Sequence, residues 1–277
     1  MFYTNRRAKE GGGRSVEWVH GCRIGIAESD DAGATWRHRG EAQIAYGGRD
    51  ATHWAPDIIE HGGVYHMFLT IVPGIFADWN HPREIVHLTG TDLLQWEYRS
   101  SLKLASERVI DPCVFPLPGG GWRLWYNNES DNKSIYYADS PDLFTWTDKG
   151  RAAGVGERPG EGPLVFQWRG HYWMAVDLWK GLGVYRSDDL LTWAAQPGEL
   201  LLGQPGKGPD DNANGSHPGV VVAGDRAFLF YHTHPGRMGT IHTGEKDGYE
   251  QRRSSIQVVE LREKDGVLSC DRDAPTR

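Results

Sequence analysis

The chain has 277 residues and a formal net charge of −7, with 24% of its residues charged and 39% hydrophobic. This composition is that of a soluble globular protein, and the negative charge argues against a nucleic-acid partner, which requires a basic face. No apolar run reaches the length of a membrane-spanning helix, so we expect no membrane partner. Three widely separated cysteines argue against a disulfide framework and follow no metal-binding spacing.

Aromatic residues and glycine are unusually abundant, with 12 Trp, 11 Tyr, 8 Phe and 36 Gly. Together with the scarcity of long helical patterns, this predicts an all-β protein with many turns. The first residues carry charge and glycine where a signal peptide needs an apolar core, so the chain as given is predicted to be cytoplasmic. A segment upstream of Met1 would make it secreted or periplasmic instead.

A proline-led apolar strand recurs along the chain. The intervals between Pro56, Pro112, Pro163 and Pro218 are 56, 51 and 55 residues. Each apolar run is followed by a glycine-containing turn and by a second strand rich in aromatic residues. A repeat of about 50 residues with three to four strands per unit predicts a β-propeller.

The third strand of each repeat ends in a turn of fixed form. The segment 29–36 fits the Asp-box pattern S-x-D-x-G-x-T-W, and the segments 91–96, 140–146 and 187–193 are shorter relatives of it. An Asp side chain can bond the backbone N–H groups of such a turn, while the Trp covers the hairpin. We therefore expect these residues to be structural.

The first repeat is incomplete. Residues 1–4 match residues 67–70 of the next repeat, so the innermost strand of the first unit would lie about ten residues before Met1. The segments 255–261 and 267–270 either complete the last blade or pair with the first one. We predict a five-bladed β-propeller in a single domain, 1–277, with blades at approximately 1–50, 51–105, 106–155, 156–205 and 206–277. The missing strand lies either upstream of the given chain or on a neighbouring copy of it, since an open first blade invites pairing that would form a homo-oligomer.

Three motifs and one histidine carry a family resemblance: W-A-P-D at 54–57, I-D-P at 110–112, E-G-P at 161–163 and His217. In this order and spacing they resemble the five-bladed propellers of glycoside hydrolase family 43 over most of the chain. The resemblance implies Glu161 as the general acid and Asp111 as the carboxylate that tunes its pKa and positions the sugar. It implies His217 as a residue near or on a calcium or other ion in the central channel.

This chain departs from the family pattern at the general base. Its position falls on the strand that is missing before Met1, so no residue of this chain matches it. Asp57 stands at the equivalent place one repeat later, and we take it as the candidate general base instead. Because inner strands of a propeller begin at one end of its channel, we expect Asp57, Asp111, Glu161 and His217 to meet there. Crowded carboxyls raise the pKa of at least one of them, as an acid catalyst needs.

Each of these residues also has a structural interpretation. Asp57 and Asp111 stand beside prolines and could cap turns, and His217 could bond a backbone carbonyl. Glu161 lies between two glycines, where a structural task is harder to assign.

Substrate contacts are predicted at the start of the inner strands, on tryptophans and on two loops. Flat aromatic rings stack on sugar faces, although a Trp in a strand is more often part of the core. The loop 72–82 and the excursion from Tyr231 to Arg253 are expected to surround the pocket. The predicted substrate-binding residues are His53, Trp54, Trp79, Trp125, Trp179 and Arg253.

The leading function is an inverting glycoside hydrolase acting on plant-type oligosaccharides or polysaccharides, with arabinofuranosidase or xylosidase character. This function follows from the family resemblance, and the spacing alone shows only a carboxylate-rich site. One alternative is a catalytically degenerate propeller that binds carbohydrate. Another is a glycoside phosphorylase, which needs a phosphate pocket for which Arg252 and Arg253 are the candidates.

Overall fold

The computed structural model describes residues 1–9, 15–203, 205–237 and 248–276. Strands dominate these ranges, as the composition predicted. Helix is confined to three short segments: Glu17–Val19, Pro235–Arg237 and Tyr249–Arg252. None of these helices has the length and apolar character needed to cross a membrane.

The strands form five sheets, arranged as the five blades of a β-propeller. The first sheet contains β1 (Phe2–Asn5), β2 (Arg23–Glu28) and β3 (Arg37–Glu41). The second contains β5 (Thr52–His61), β6 (Val64–Val72), β7 (Glu84–Gly90) and β8 (Gln95–Ser101), with β4 (Gln43–Ile44) added parallel to β8. The third contains β9 (Val109–Pro116), β10 (Trp122–Asn128), β11 (Ser134–Ser140) and β12 (Thr147–Arg151).

The fourth sheet contains β13 (Glu161–Trp168), β14 (His171–Asp177), β15 (Leu182–Ser187) and β16 (Ala194–Ala195). The fifth contains β17 (Ser216–Ala223), β18 (Arg226–Thr233), β19 (Ser255–Lys264) and β20 (Val267–Cys270). The last two strands therefore complete the fifth blade, which decides between the two alternatives for the C-terminal segments. In the first sheet, β1 is an edge strand and has no inner neighbour among the described residues.

The chain divides into two compact units. The first takes in the N-terminal strand, Ser15–Leu124 and Ala138–Asp148, and the second takes in Trp125–Tyr137 and the residues from Lys149 onward. Each unit has its own apolar cluster. Ile24, Met67, Leu69, Val86, Leu88 and Trp96 belong to that of the first unit. Phe166, Trp173, Val184, Leu229, Val259 and Leu261 belong to that of the second.

The second strand of each blade explains the aromatic-rich runs of the sequence. From Met67 to Val72 every residue of β6 is buried, and β10 and β14 are buried almost throughout. A strand covered on both faces has no solvent side, so its sequence is continuously apolar rather than alternating. The outer strand β12 is largely exposed and polar.

The Asp-box turns have the structural role that the sequence predicted. The Asp31 carboxylate accepts hydrogen bonds from the Thr35 backbone N–H (2.8 Å) and from the Thr35 hydroxyl (2.6 Å). The Trp36 indole N–H donates to the carbonyl of Gly33 at 3.1 Å. In the shorter relatives, Asp142 and Asp189 accept the backbone N–H three residues later, at 2.7 and 2.8 Å.

Candidate active site

The inner strands β5, β9, β13 and β17 share a backbone distortion at the residue before the proline. That residue has a positive φ in all four strands: 43° at Ala55, 59° at Asp111, 58° at Gly162 and 46° at His217. The strand register shifts at the same place in β5, β13 and β17, as it does at a β-bulge. A non-glycine residue in this region costs about 1–3 kcal/mol, and bulges re-aim the neighbouring side chains. A distortion repeated four times marks this level of the fold as a candidate site.

The four candidate residues do not occupy one position of the repeat, contrary to the sequence prediction. Asp111 and His217 immediately precede their prolines, Glu161 stands two residues before its proline, and Asp57 stands one residue after. The register pairs Glu161 with Asp177 and Trp54 with Thr70. Trp54 is thus the counterpart of Glu161 in the second blade.

In the second unit, Glu161 is at the centre of a cluster of charged groups. Its side chain is 18% exposed, with Oε2 at 3.5 Å from Lys133 Nζ and Oε1 at 4.0 Å from His217 Nδ1. Lys133 Nζ also contacts Glu129 Oε1 at 2.6 Å. Gly162, beside Glu161, has a φ of 58°, a conformation that favours glycine, and a Cβ there would be in van der Waals contact with the His217 ring at 3.4 Å. We call Glu129, Lys133, Glu161, Asp177 and His217 the Glu161 cluster.

Asp177 fixes the position of His217 and was not found from the sequence. Its buried carboxylate accepts the backbone N–H of His217 at 2.9 Å, and the same oxygen lies 3.2 Å from His217 Nδ1. The other oxygen accepts the N–H of Trp179 at 2.7 Å. Aligning the second strands of the repeats would have identified it, because the register gives Asp177 the place that Thr70 has in the second blade. The Thr70 hydroxyl likewise accepts a backbone N–H, from Asp111 at 3.0 Å.

The other two predicted carboxylates lie in the first unit. Asp111 is 4% exposed. Asp57 is half-buried, and its carboxylate accepts the backbone N–H of Val114 at 2.6 Å, which links β5 to β9. Burial raises the pKa of Asp57 to about 6, against the opposing effect of that hydrogen bond. The structure thus gives Asp57 a structural contact, and its role as a base stays a prediction.

Trp54 and Trp79 belong to one aromatic cluster of the first unit. Trp54 is half-buried and donates its indole N–H to the carbonyl of Val19 at 2.7 Å. The ring of Trp79, on the loop between β6 and β7, lies 6.3 Å from that of Trp54, and both rings contact His20. Trp79 is 48% exposed, so its ring is open to a ligand.

Trp179 lies beside the Glu161 cluster. Its side chain is 43% exposed, and Lys133 Nζ lies 5.4 Å from its ring centre. The same ammonium group therefore contacts both the carboxylate of Glu161 and the face of an accessible indole. This arrangement supports Trp179 as a residue that a sugar could stack on.

Two predicted substrate contacts are wrong because the side chains are buried. Trp125 is 0% exposed and packs edge-on against Trp193, with ring centres 5.9 Å apart, since β10 is covered on both faces. His53 is 2% exposed, and burial lowers its pKa to about 4. Neither ring has a face that a sugar could reach.

Arg253 has protein partners for its guanidinium group. It makes a bidentate contact with Asp210, at 2.7 and 2.8 Å, and Nε donates to Glu250 at 2.6 Å. A substrate contact would require an exchange of these partners. The remainder of the predicted loop includes residues 238–247, which lie outside the described residues.

The predicted ion near His217, calcium or another, stays a prediction. Atoms of Glu161, Asp177 and His217 lie within 4.8 Å of one another. Calcium takes six to eight oxygen ligands, whereas this set contains an imidazole nitrogen. Asp177 also already accepts the N–H groups of His217 and Trp179. These three side chains suit calcium poorly, and no step below involves an ion.

The fold and this site define a five-bladed propeller whose inner strands carry acidic side chains at repeated bulges. The family model described as glycosyl hydrolases family 43 matches residues 14–267, and the chain belongs to that family. A curated relative is the Mycobacterium tuberculosis (strain CDC 1551 / Oshkosh) protein MT1551, described as uncharacterized and 26% identical over 191 residues. The match spans 62% of this chain and 60% of the length of that relative.

Solved structures with the same fold include other members of this family. A thermostable family-43 glycoside hydrolase has a TM-score of 0.68 and 18% identity, covering 94% of this chain and 88% of that one. CoXyl43, a β-xylosidase/α-arabinofuranosidase from a compost microbial metagenome, has a TM-score of 0.66 and 15% identity, with coverage of 96% and 88%. An exo-1,5-α-L-arabinanase from a bovine ruminal metagenomic library has a TM-score of 0.63 and 18% identity, covering 91% of each chain.

Proposed function

We propose that this protein is a glycoside hydrolase in which Glu161 is the general acid. The observation that carries the proposal is the Glu161 cluster, which holds a mostly buried carboxyl between an ammonium group and an imidazole at a repeated backbone distortion. Membership of glycosyl hydrolases family 43 supports the reaction class.

In the proposed reaction, the protonated Glu161 donates its proton to the glycosidic oxygen as the bond to the anomeric carbon breaks. A water molecule adds to that carbon and gives up a proton to a base, for which Asp57 is the candidate. The resemblance implies inversion, which requires an acid and a base about 6.5–9.5 Å apart so that a water fits between them. Asp111 is proposed to tune the acid and to position the sugar.

The surroundings of Glu161 favour the state that follows proton transfer. Once the proton has left, the carboxylate faces the Lys133 ammonium group at 3.5 Å and the His217 imidazole at 4.0 Å. A cation at this distance from a mostly buried carboxylate stabilises the negative charge that the step creates. The cluster thus lowers the energy of the state that follows bond cleavage.

We propose neutral pentosides, α-L-arabinofuranosides or β-xylosides, as the substrate class. The Glu161 cluster contains three carboxylates and one ammonium group, so an anionic sugar or a phosphate would be repelled. The exposed indole of Trp179 offers an apolar face for the sugar ring. The structural neighbours include a β-xylosidase/α-arabinofuranosidase and an arabinanase, but also a β-1,3-galactosidase.

The test is the release of reducing sugar from aryl α-L-arabinofuranosides, aryl β-xylosides and the matching oligosaccharides, by the wild type and by Glu161→Gln. We expect turnover by the wild type and a loss of at least 100-fold in the variant, because glutamine has no proton to donate. If no member of the panel is cleaved, or if the variant matches the wild type, the proposal fails.

A carbohydrate-binding propeller without turnover is the second candidate. It is favoured by the first sheet, which has three strands where the other four have at least four. It predicts sugar binding by calorimetry that Glu161→Gln leaves unchanged. The phosphorylase alternative has less support, since Arg252 is 3% exposed and Arg253 is engaged by Asp210 and Glu250.

A further inference from the structure

We propose that Lys133 is a positioning residue for Glu161, and that a strained turn holds its side chain at the carboxylate. This inference rests on the proposed function and adds a residue that the sequence did not single out. Its side chain is 39% exposed, and Nζ lies between Glu129 Oε1 at 2.6 Å and Glu161 Oε2 at 3.5 Å.

The turn that carries Lys133 has a backbone form that suits glycine. The hairpin between β10 and β11 closes with the N–H of Ser134 donating to the carbonyl of Asp131 at 3.1 Å. The two central residues have φ of 53° at Asn132 and 52° at Lys133, as in a type I′ turn. Asn-Gly is the preferred pair in such turns, because a side chain at the second position is strained. A lysine in the place of the glycine is a local cost that points to a task for the side chain.

The turn is anchored on both sides, so the lysine is held rather than mobile. The Asp131 carboxylate accepts hydrogen bonds from Nε and one terminal nitrogen of Arg151, each at 2.6 Å, and from the hydroxyl of Tyr136 at 2.6 Å. The carbonyl of Lys133 accepts the backbone N–H of Gly160 at 3.0 Å, one residue before Glu161. The backbone of the turn therefore fixes the start of β13 independently of the lysine side chain.

The side chain adds a charge that the backbone cannot supply. Glu129 is a nearly buried carboxylate, with its side chain 6% exposed, and its contact with Nζ sets the direction of the ammonium group. The same group reaches Glu161 Oε2 and lies over the ring of Trp179 at 5.4 Å. Lys133 thus orients the Glu161 carboxyl and stabilises it once its proton has passed to the leaving group.

The test compares Lys133→Gly with Asn132→Gly. Both variants place glycine at a positive φ in the same turn, so Asn132→Gly should melt at or above the wild-type temperature. Lys133→Gly also removes the ammonium partner of the nearly buried Glu129, so it should melt below Asn132→Gly. Only the first removes the ammonium group. We expect Lys133→Gly to lower kcat at least 10-fold on an alkyl glycoside, whose departure needs a proton, with less than a twofold change on a dinitrophenyl glycoside. Asn132→Gly should keep the wild-type kcat on both substrates.

A double variant tests whether the effect passes through Glu161. On a nitrophenyl glycoside, Lys133→Gly should lower kcat when it is introduced into the wild type. When it is introduced into Glu161→Gln, it should leave kcat unchanged. Equal losses on alkyl and dinitrophenyl substrates, a kcat equal to that of Asn132→Gly, or a further loss in the Glu161→Gln background would each overturn the inference. Full activity of Glu161→Gln on the alkyl glycoside would instead refute the proposed function itself.

Discussion

Asp57 shows how the burial of a single carboxyl group can oppose stability. Burial raises its pKa to about 6, well above the usual value of an aspartate. An acid with a raised pKa in the folded protein binds its proton more tightly there than in the unfolded chain. The stability that this provides is present at low pH and is lost as the pH rises from about 4 to about 6.

We therefore predict that Asp57→Asn is more stable than the wild type at neutral pH. The amide keeps an oxygen for the Val114 N–H and carries no charge to desolvate, so the gain in unfolding free energy at pH 7.5 should be about 1–2 kcal/mol. At pH 4 the two proteins should be equally stable in urea titrations. A variant that gains nothing at pH 7.5 would show that burial does not penalise this carboxylate. Because Asp57 is the proposed base, its replacement by Asn should also lower kcat at least 100-fold.

The two tryptophans Trp179 and Trp125 should respond to truncation in opposite ways. Trp179→Ala removes a 43% exposed ring, so KM should rise at least fivefold with little change in melting temperature. Trp125→Ala empties a fully buried site and should cost about 3–5 kcal/mol of unfolding free energy. Thermal melts and steady-state kinetics on the same substrate distinguish them. A stability loss at Trp179 with an unchanged KM would remove it from the substrate site.

The paired strands β6 and β7 contain two buried histidines that lie next to each other. His66 Nδ1 and His87 Nε2 are 2.9 Å apart, and the ring of His87 lies between those of Phe68 and Phe144. Burial lowers the pKa of His87 to about 3, with the charges of His66 and Arg99 adding to the effect and Asp142 opposing it. The pKa of His66 is lowered as well, by burial first and then by His61.

Acid should therefore destabilise this pair of strands. The unfolded chain binds protons at both histidines below about pH 6.5, and the folded protein binds them less readily, so stability falls as the pH drops from about 6.5 toward the pKa of His87 near 3. His87→Phe removes one of these sites and fits the aromatic stack. Its melting temperature should fall less than that of the wild type between pH 7 and pH 5. Parallel pH curves for the two proteins would contradict this prediction.

The elements themselves were largely predictable, and the bulges were not. The period near 50 residues predicted the blades. Apolar runs predicted buried strands such as β6, because a strand that is buried on both faces consists mainly of apolar residues. The prolines indicated where the inner strands begin. The positive φ before each proline was not predicted, because Asp111 and His217, although of types enriched at positive φ, also occur in ordinary strands, and Ala55 has no such preference.

The candidate site was predicted in part for the same reason. Glu161 stood out between its glycines, and its neighbours in space did not. Asp177 is the last residue of a strand that the repeat predicts to be part of the core. Lys133 lies in a hairpin turn that the repeat predicts to be only a connection between strands. Trp125 and His53 were misassigned because residue type and proximity to a strand start do not reveal which side chains are covered. Only a strand-by-strand register separates these cases.

In the whole molecule, the same backbone distortion recurs in four blades, and the side chains that it carries differ from blade to blade. The position that is Glu161 in the fourth blade is Trp54 in the second and Ser216 in the fifth. Such a scaffold allows the chemistry to change while the sheets stay the same. Among the described residues β1 is an edge strand, and its pairing with a second copy of the chain stays a prediction.

The most direct measurement is the dependence of kcat on the leaving group for the wild type and Glu161→Gln, across aryl pentosides of decreasing phenol acidity. A general acid at Glu161 predicts that the variant keeps its rate with dinitrophenol and loses progressively more as the phenol becomes less acidic. A variant with the same slope as the wild type would contradict the assignment of Glu161 as the proton donor.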